Sequence, residues 1–178
     1  DQLLGTLADP RALPGRFGQV ALALAKAQQT DAALDVAARA IERFPRHAGA
    51  LLAAARVSEQ AGRRDDAEAR FRRALELDPD APAVLNALGY SLADWGTDLD
   101  EAVRLLRRAV ELHPNEAAYL DSLGWALHRT GRQDEASRLL ESALARDRDP
   151  VILAHLAAVR ESQGRRAEAV ELLREALA

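Results

Sequence analysis

The chain has no cysteine, which removes a disulfide framework, a thiolate metal site and a cysteine nucleophile together. That absence suits an oxidising and a reducing compartment equally. No stretch approaches the roughly 18 consecutive apolar residues of a membrane-crossing helix, and no basic-then-apolar leader opens the sequence, so direct membrane insertion by this segment is not expected. The sequence starts at Asp1 rather than at Met, which leaves room for a targeting segment removed from the mature protein. Aromatic residues are scarce, 4% of 178, so each one needs an explanation. A single lysine, Lys26, stands against a large number of arginines; this reads as the codon bias of a GC-rich genome, and no ligand is inferred from it. The net charge of -4 comes from acids and bases interspersed along the chain without a long run of either sign. That distribution argues against a nucleic-acid partner, which calls for a basic face.

What is present is helix-forming. Hydrophobic residues make up 48% of the chain, and Ala, Leu, Glu and Arg dominate. The composition predicts an all-α protein with close, alanine-rich helix contacts.

The chain also repeats itself. "QAGRRDDAEARFRRALELDPDAP" recurs as "RTGRQDEASRLLESALARDRDP" and again as "SQGRRAEAVELLREALA", with a unit of about 34 residues. In each copy a Gly precedes an Ala: Gly62 and Ala67, Gly131 and Ala136, Gly164 and Ala169. The Gly suits a left-handed helix end, and the Ala opens the next apolar stripe. That stripe continues through Phe71 and Ala74, Leu106 and Ala109, Leu140 and Ala143, Leu173 and Ala176, all at single-face helical spacing. Before the Gly, Leu and small residues recur as Leu51, Ala54 and Ala55, then Leu85, Leu88 and Gly89, then Leu120, Leu123 and Gly124. Each unit therefore reads as helix, tight turn, helix. Pro45, Pro79 and Pro114 close the second helix in three units, because Pro lacks an amide proton and disfavours helix in its predecessor. Gly124 lowers helix propensity by about 1 kcal/mol against Ala, so it belongs where a neighbouring helix comes too close for a side chain. Gly89 and Ala55 take the equivalent place.

This pattern resembles the tetratricopeptide repeat family, whose unit carries the small residues in its first helix, Ala with an apolar residue in its second, and Pro at the exit. The resemblance implies a right-handed superhelical array of antiparallel helix pairs. We place the repeats at 14–47, 48–81, 82–116, 117–149 and 150–178. The third has one extra residue in "DWGTDLDEA", and the fourth is one shorter, with Arg148 where Pro is expected and Pro150 just beyond. The first is weak, having Gln28 and Gln29 where the turn Gly should be. Residues 1–13 read as the tail of an earlier second helix ending at Asp9 and Pro10, and the sequence stops within a second helix. The expectation is a piece of a longer array, or ends that self-associate with another copy.

The resemblance further implies that first helices line a concave groove. Residues there that are not used in stacking are Arg56 and Glu59; Asn86, Tyr90 and Asp94; Asp121, Trp125, His128 and Arg129; and His155. Trp125 has two readings: it covers the seam between first helices, or it anchors a partner together with Tyr90, since Trp, Tyr and Arg dominate binding hot spots. Asn86 and Asp121 sit one turn earlier, either as solvated polar residues or as groups that meet an extended peptide backbone. The basic and Asn constellation that clamps a carboxylate terminus in some chaperone-binding relatives is missing, with Gly18, Leu22, Ala53, Ala83 and Ala87 filling one candidate frame.

"DWGTDLDE" has the wrong spacing for a calcium loop and reads as a lengthened turn in which Asp98 or Asp100 caps the next helix. His47, His113, His128 and His155 form no i, i+4 pair, and His128 and His155 are expected at different heights, so no metal is assigned. No nucleophile turn or phosphate-cradling loop is present, so no catalytic residue and no cofactor is assigned. The expected function is a non-catalytic scaffold that binds a peptide or partner protein, with assembly through ends or convex faces as the alternative. "LNALGYSLAD" and "LDSLGWALHRTGRQDEA" also resemble paired repeats of Gram-negative outer-membrane lipoproteins, one of which is an adaptor for a periplasmic processing protease. That resemblance implies an envelope location, periplasm or outer membrane, with a lipid anchor on the full-length protein.

Overall fold

The computed structural model describes residues 13–178. The expected tail of an earlier helix ending at Asp9 lies outside the described residues. Among these there are ten α-helices and no strand. In chain order they are α1 (Leu13–Lys26), α2 (Thr30–Arg43), α3 (Ala48–Gln60), α4 (Arg64–Leu77), α5 (Pro82–Trp95), α6 (Leu99–Leu112), α7 (Ala117–Arg129), α8 (Gln133–Leu144), α9 (Pro150–Ser162) and α10 (Arg166–Ala176). They fall into two compact units, one ending at Val84 and the other starting at Leu85.

In the first unit α1 pairs with α2 and α3 with α4, and α3 also packs on α1 and α2. Small side chains make this possible: a Cβ on Gly18 would stand 2.8 Å from the Cβ of Ala53. Ala21, Ala33, Ala37, Ala54 and Val57 form the buried cluster between the pairs. Phe17 meets Phe44 edge to face at 6.1 Å.

In the second unit α7 pairs with α8 and α9 with α10; α6 packs on α7, and α9 packs on α8 and α7. Helix α6 shows how pattern becomes packing. Ala102, Val103, Leu106 and Ala109 are buried on one face, while Arg108 and Glu111 pair at 3.2 Å in solvent. The close approach inferred for the helical glycines occurs within a pair. A Cβ on Gly89 would lie 2.6 Å from the Cγ of Leu106, and one on Gly124 2.7 Å from the Cγ of Leu140.

The turns follow the glycine pattern. Gly62, Gly131 and Gly164 have φ of 73°, 80° and 76°, the left-handed region that only Gly occupies freely. The first pair keeps that geometry without the Gly: Gln28 itself sits at φ 60°. A left-handed non-Gly residue is strained by about 1–2 kcal/mol. Gln28→Gly is therefore expected to stabilise the protein by about 1 kcal/mol, read as a higher urea midpoint at unchanged slope; an unchanged or lower midpoint would contradict the strain.

One expectation needs correction. Asp98 holds the N-cap position of α6 but makes no side-chain capping bond, because it too is left-handed, at φ 44°. A capping carboxylate needs an extended backbone to face the free amides. The extra residue in this turn, with Gly96 at φ 74°, takes Asp98 out of that geometry. Asp100 lies inside the first turn of α6 and acts on the helix end only through charge. Side-chain caps occur elsewhere: His47 accepts from the Ala50 amide at 3.2 Å, and Asp149 from the Val151 amide at 2.7 Å.

Candidate functional site

The candidate residues of the second unit lie on α5, α7 and α9. Counting from the close-packed Gly89, Gly124 and Ala157, the next residue on each helix is Tyr90, Trp125 and Ala158. Two residues before lie Ala87, Ser122 and His155. The aromatic row thus stops at Ala158, and His155, larger than its counterparts, takes up the space beside Trp125. The two rings stack with centroids 4.4 Å apart and planes 18° from parallel. Tyr90 lies 6.1 Å from the same imidazole.

Asp121 is buried and its Oδ1 lies 2.8 Å from His155 Nδ1. A carboxylate only accepts, so Nδ1 carries the proton and donates. The carboxylate that the sequence offered to a peptide backbone is therefore engaged inside the protein. His128 stacks on Trp125 as well, at 5.2 Å, so both imidazoles expected at different heights meet one indole. Gln133 holds His128 in place, its Oε1 accepting from Nδ1 at 2.8 Å.

Arg129 is exposed and its guanidinium carbon lies 5.8 Å from the Trp125 ring centroid, a cation–π contact. Its Nη1 donates to the main-chain oxygen of Asp94 at 3.1 Å. The contribution of Asp94 is thus through its backbone, while its side chain is exposed. A Cβ on Gly96 would stand 2.8 Å from Arg129 Nη2, so Arg129 lies directly over the lengthened turn, where the positive φ of 74° favours Gly. Asn86 is half-buried; its Oδ1 and the Nε1 of Trp125 are shielded from solvent and have no hydrogen-bond partner among the described residues. Arg56 is exposed on α3 in the first unit.

Three residues outside the sequence-based set matter to this surface. Gln133 and Gly96 support His128 and Arg129, and the only sequence signal was the extra residue in the turn containing Gly96. The third, Arg160 on α9, is 5% exposed and donates to Ser137 and Glu141 of α8 and to Gln163 Oε1 at 3.1 Å. Its Nε lies 3.4 Å from Glu168 of α10. Gln163 adds a 3.4 Å bond to Asp134. A buried arginine at a position where α7 carries Leu127 was not visible as a docking group.

These helix pairs, with small residues at each close contact and a left-handed residue at each tight turn, define a helical repeat protein that presents first-helix side chains as a surface. Family models for the tetratricopeptide repeat match residues 24–89, 80–149 and 151–178. The chain belongs to the tetratricopeptide repeat family, and its fold is the all-α solenoid of that family. It is similar to the crystal structure of TTC0263, a thermophilic TPR protein of Thermus thermophilus. The two are 25% identical, with a TM-score of 0.80 over 92% of this chain and 90% of that one. It is also similar in fold to PilW, described as a widely conserved type IV pilus biogenesis factor. There the TM-score is 0.83 at 20% identity, over 96% of this chain and 79% of that one. The likeness to pilF of Pseudomonas aeruginosa has a TM-score of 0.77 at 22% identity, covering 92% and 76%. A search of curated proteins finds no match. Repeats of this family are in general non-catalytic scaffolds for protein–protein interaction.

Proposed function

We propose that this protein is a non-catalytic adaptor that holds a peptide segment or a partner protein against the first-helix face of its second unit, in the groove lined by such helices. The observation that carries this reading is the convergence of Tyr90, Trp125, His128, Arg129 and His155 from three successive first helices. Large, rigid side chains supply much contact area at low entropic cost, and Trp, Tyr and Arg are the residues that dominate binding energy. Asn86 would border the same face, on α5 one turn before Tyr90. Asp94 would line the same groove and set charge preference, and Arg56 would do so on the first-helix face of the first unit. We place the full-length protein in the bacterial envelope, on the resemblance of its paired repeats to outer-membrane adaptors and its likeness in fold to a pilus biogenesis factor.

The test is capture from a Gram-negative envelope lysate with the parent chain and with the Tyr90→Ala, Trp125→Ala double variant, both checked for helicity. Captured proteins are identified and re-bound in purified form. We expect partners that bind the parent and lose at least about thirtyfold in affinity for the variant, the minimum for removing one hot-spot side chain. Equal binding to both chains would move the function to assembly through other surfaces, of which Val170, Leu173 and Leu177 on and beside α10, 46%, 45% and 89% exposed, are the first to examine.

A further inference from the structure

We propose that Asp121 and His155 are positioning residues for Trp125, so that the aromatic face is complete only while α9 is docked on α7. This rests on the reading above that the face binds a partner. Burying a polar pair is unfavourable unless its geometry is satisfied, and a satisfied pair fixes one arrangement among many. Asp121 and His155 are such a pair: one lies on α7, the other on α9, and each is less than a tenth exposed. The hydrogen bond fixes the imidazole plane, and the imidazole is the closest ring to the indole. On α7 and α5 the counterparts of His155 are Ser122 and Ala87, which carry no ring to stack on an aromatic side chain. The following helix pair therefore adds the nearer of two imidazoles to the indole, the other being His128 of α7 itself.

That pair docks through apolar and polar contacts together: α9 buries Ile152, Leu153, Leu156, Ala157 and Val159. Arg160 reaches Ser137 and Glu141 on α8, and Gln163 reaches Asp134. Opening of α9 and α10 removes His155 from the stack and frees the indole, while a partner gripping the completed face favours the docked state by linkage. Docking of one helix pair thereby gates the surface offered by its neighbours.

The experiment uses the full chain carrying Trp95→Phe, which leaves Trp125 as the sole tryptophan. Two signals are read without any partner: the indole emission, and the ring-current shift that stacking imposes on the His155 protons, assigned with His155→Phe. Asp121→Ala is expected to red-shift the emission and return the His155 protons toward their unstacked positions. Asp121→Asn, which keeps an acceptor oxygen, is expected to preserve both. Parental signals in a helical Asp121→Ala chain, or equal loss in both variants, would overturn the proposal. Arg160→Ala touches none of the rings and serves if Asp121→Ala does not fold. It is expected to move the emission in the same direction, and an unmoved emission would sever docking from the stack. Because no partner is involved, the positioning can hold while the capture experiment fails, and the reverse, so the two readings fail separately.

Discussion

Phe71→Ala is expected to lower the unfolding free energy by about 3–5 kcal/mol. Phe71 lies on α4 with no exposed surface, and its neighbours on the same face, Ala67 and Ala74, are equally buried. The facing helix α3 contributes Ala50, Ala54 and Ala55, also buried. These alanines have no side-chain length with which to fill the cavity, so the loss includes both transfer and void. For a protein whose whole stability is on the order of 5–15 kcal/mol, that is a large fraction. Urea denaturation followed by circular dichroism gives the value; a loss below about 1 kcal/mol would mean that the site collapses and that the seam is not tight. Leu106 and Leu140 hold the same place in later units with no exposure, whereas Leu173 is 45% exposed. Leu106→Ala should therefore cost about 2–5 kcal/mol and Leu173→Ala much less, although the sequence pattern treats them alike.

Gly124→Leu is expected to destabilise by about 1–3 kcal/mol or more. Even the first added carbon would stand 2.7 Å from the Cγ of Leu140 and 3.3 Å from the main-chain oxygen of Ala136. Leu140 is fully buried and its Cγ is not the free end of a side chain, so α8 itself must move. Gly124→Ala separates the two forces at work: helix propensity favours it by about 1 kcal/mol, and the contact opposes it. Crowding wins at this spacing, so Gly124→Ala should melt lower than the parent. Gly15→Ala is the control, since a Cβ there meets nothing within 4 Å; it should raise the melting temperature. If Gly124→Ala and Gly15→Ala both stabilise, the close approach of α7 and α8 is wrong.

The sequence determined the local structure of this protein because that information is local. Apolar spacing, turn glycines and exit prolines act over one or two helical turns, so the helix pairs, the close approach at Gly89 and Gly124, and membership of the repeat family were legible before any coordinates. Where a local rule met an exception, the backbone kept its shape and the residue bore the strain: Gln28 takes the left-handed turn that Gly takes in later units. The failed cap at Asp98 is the converse, a correct residue type whose backbone a lengthened turn had rotated away. What only the tertiary structure decided are contacts between residues about one repeat apart. Asp121 reads in the sequence as a solvated or groove-facing residue, whereas its carboxylate accepts from His155, and Arg129 donates to the carbonyl of Asp94. Periodicity says which face of its own helix a side chain occupies. It does not say how far that side chain reaches or which partner on the next helix is waiting, because those depend on the spacing and rotation of one pair on another, which packing alone sets.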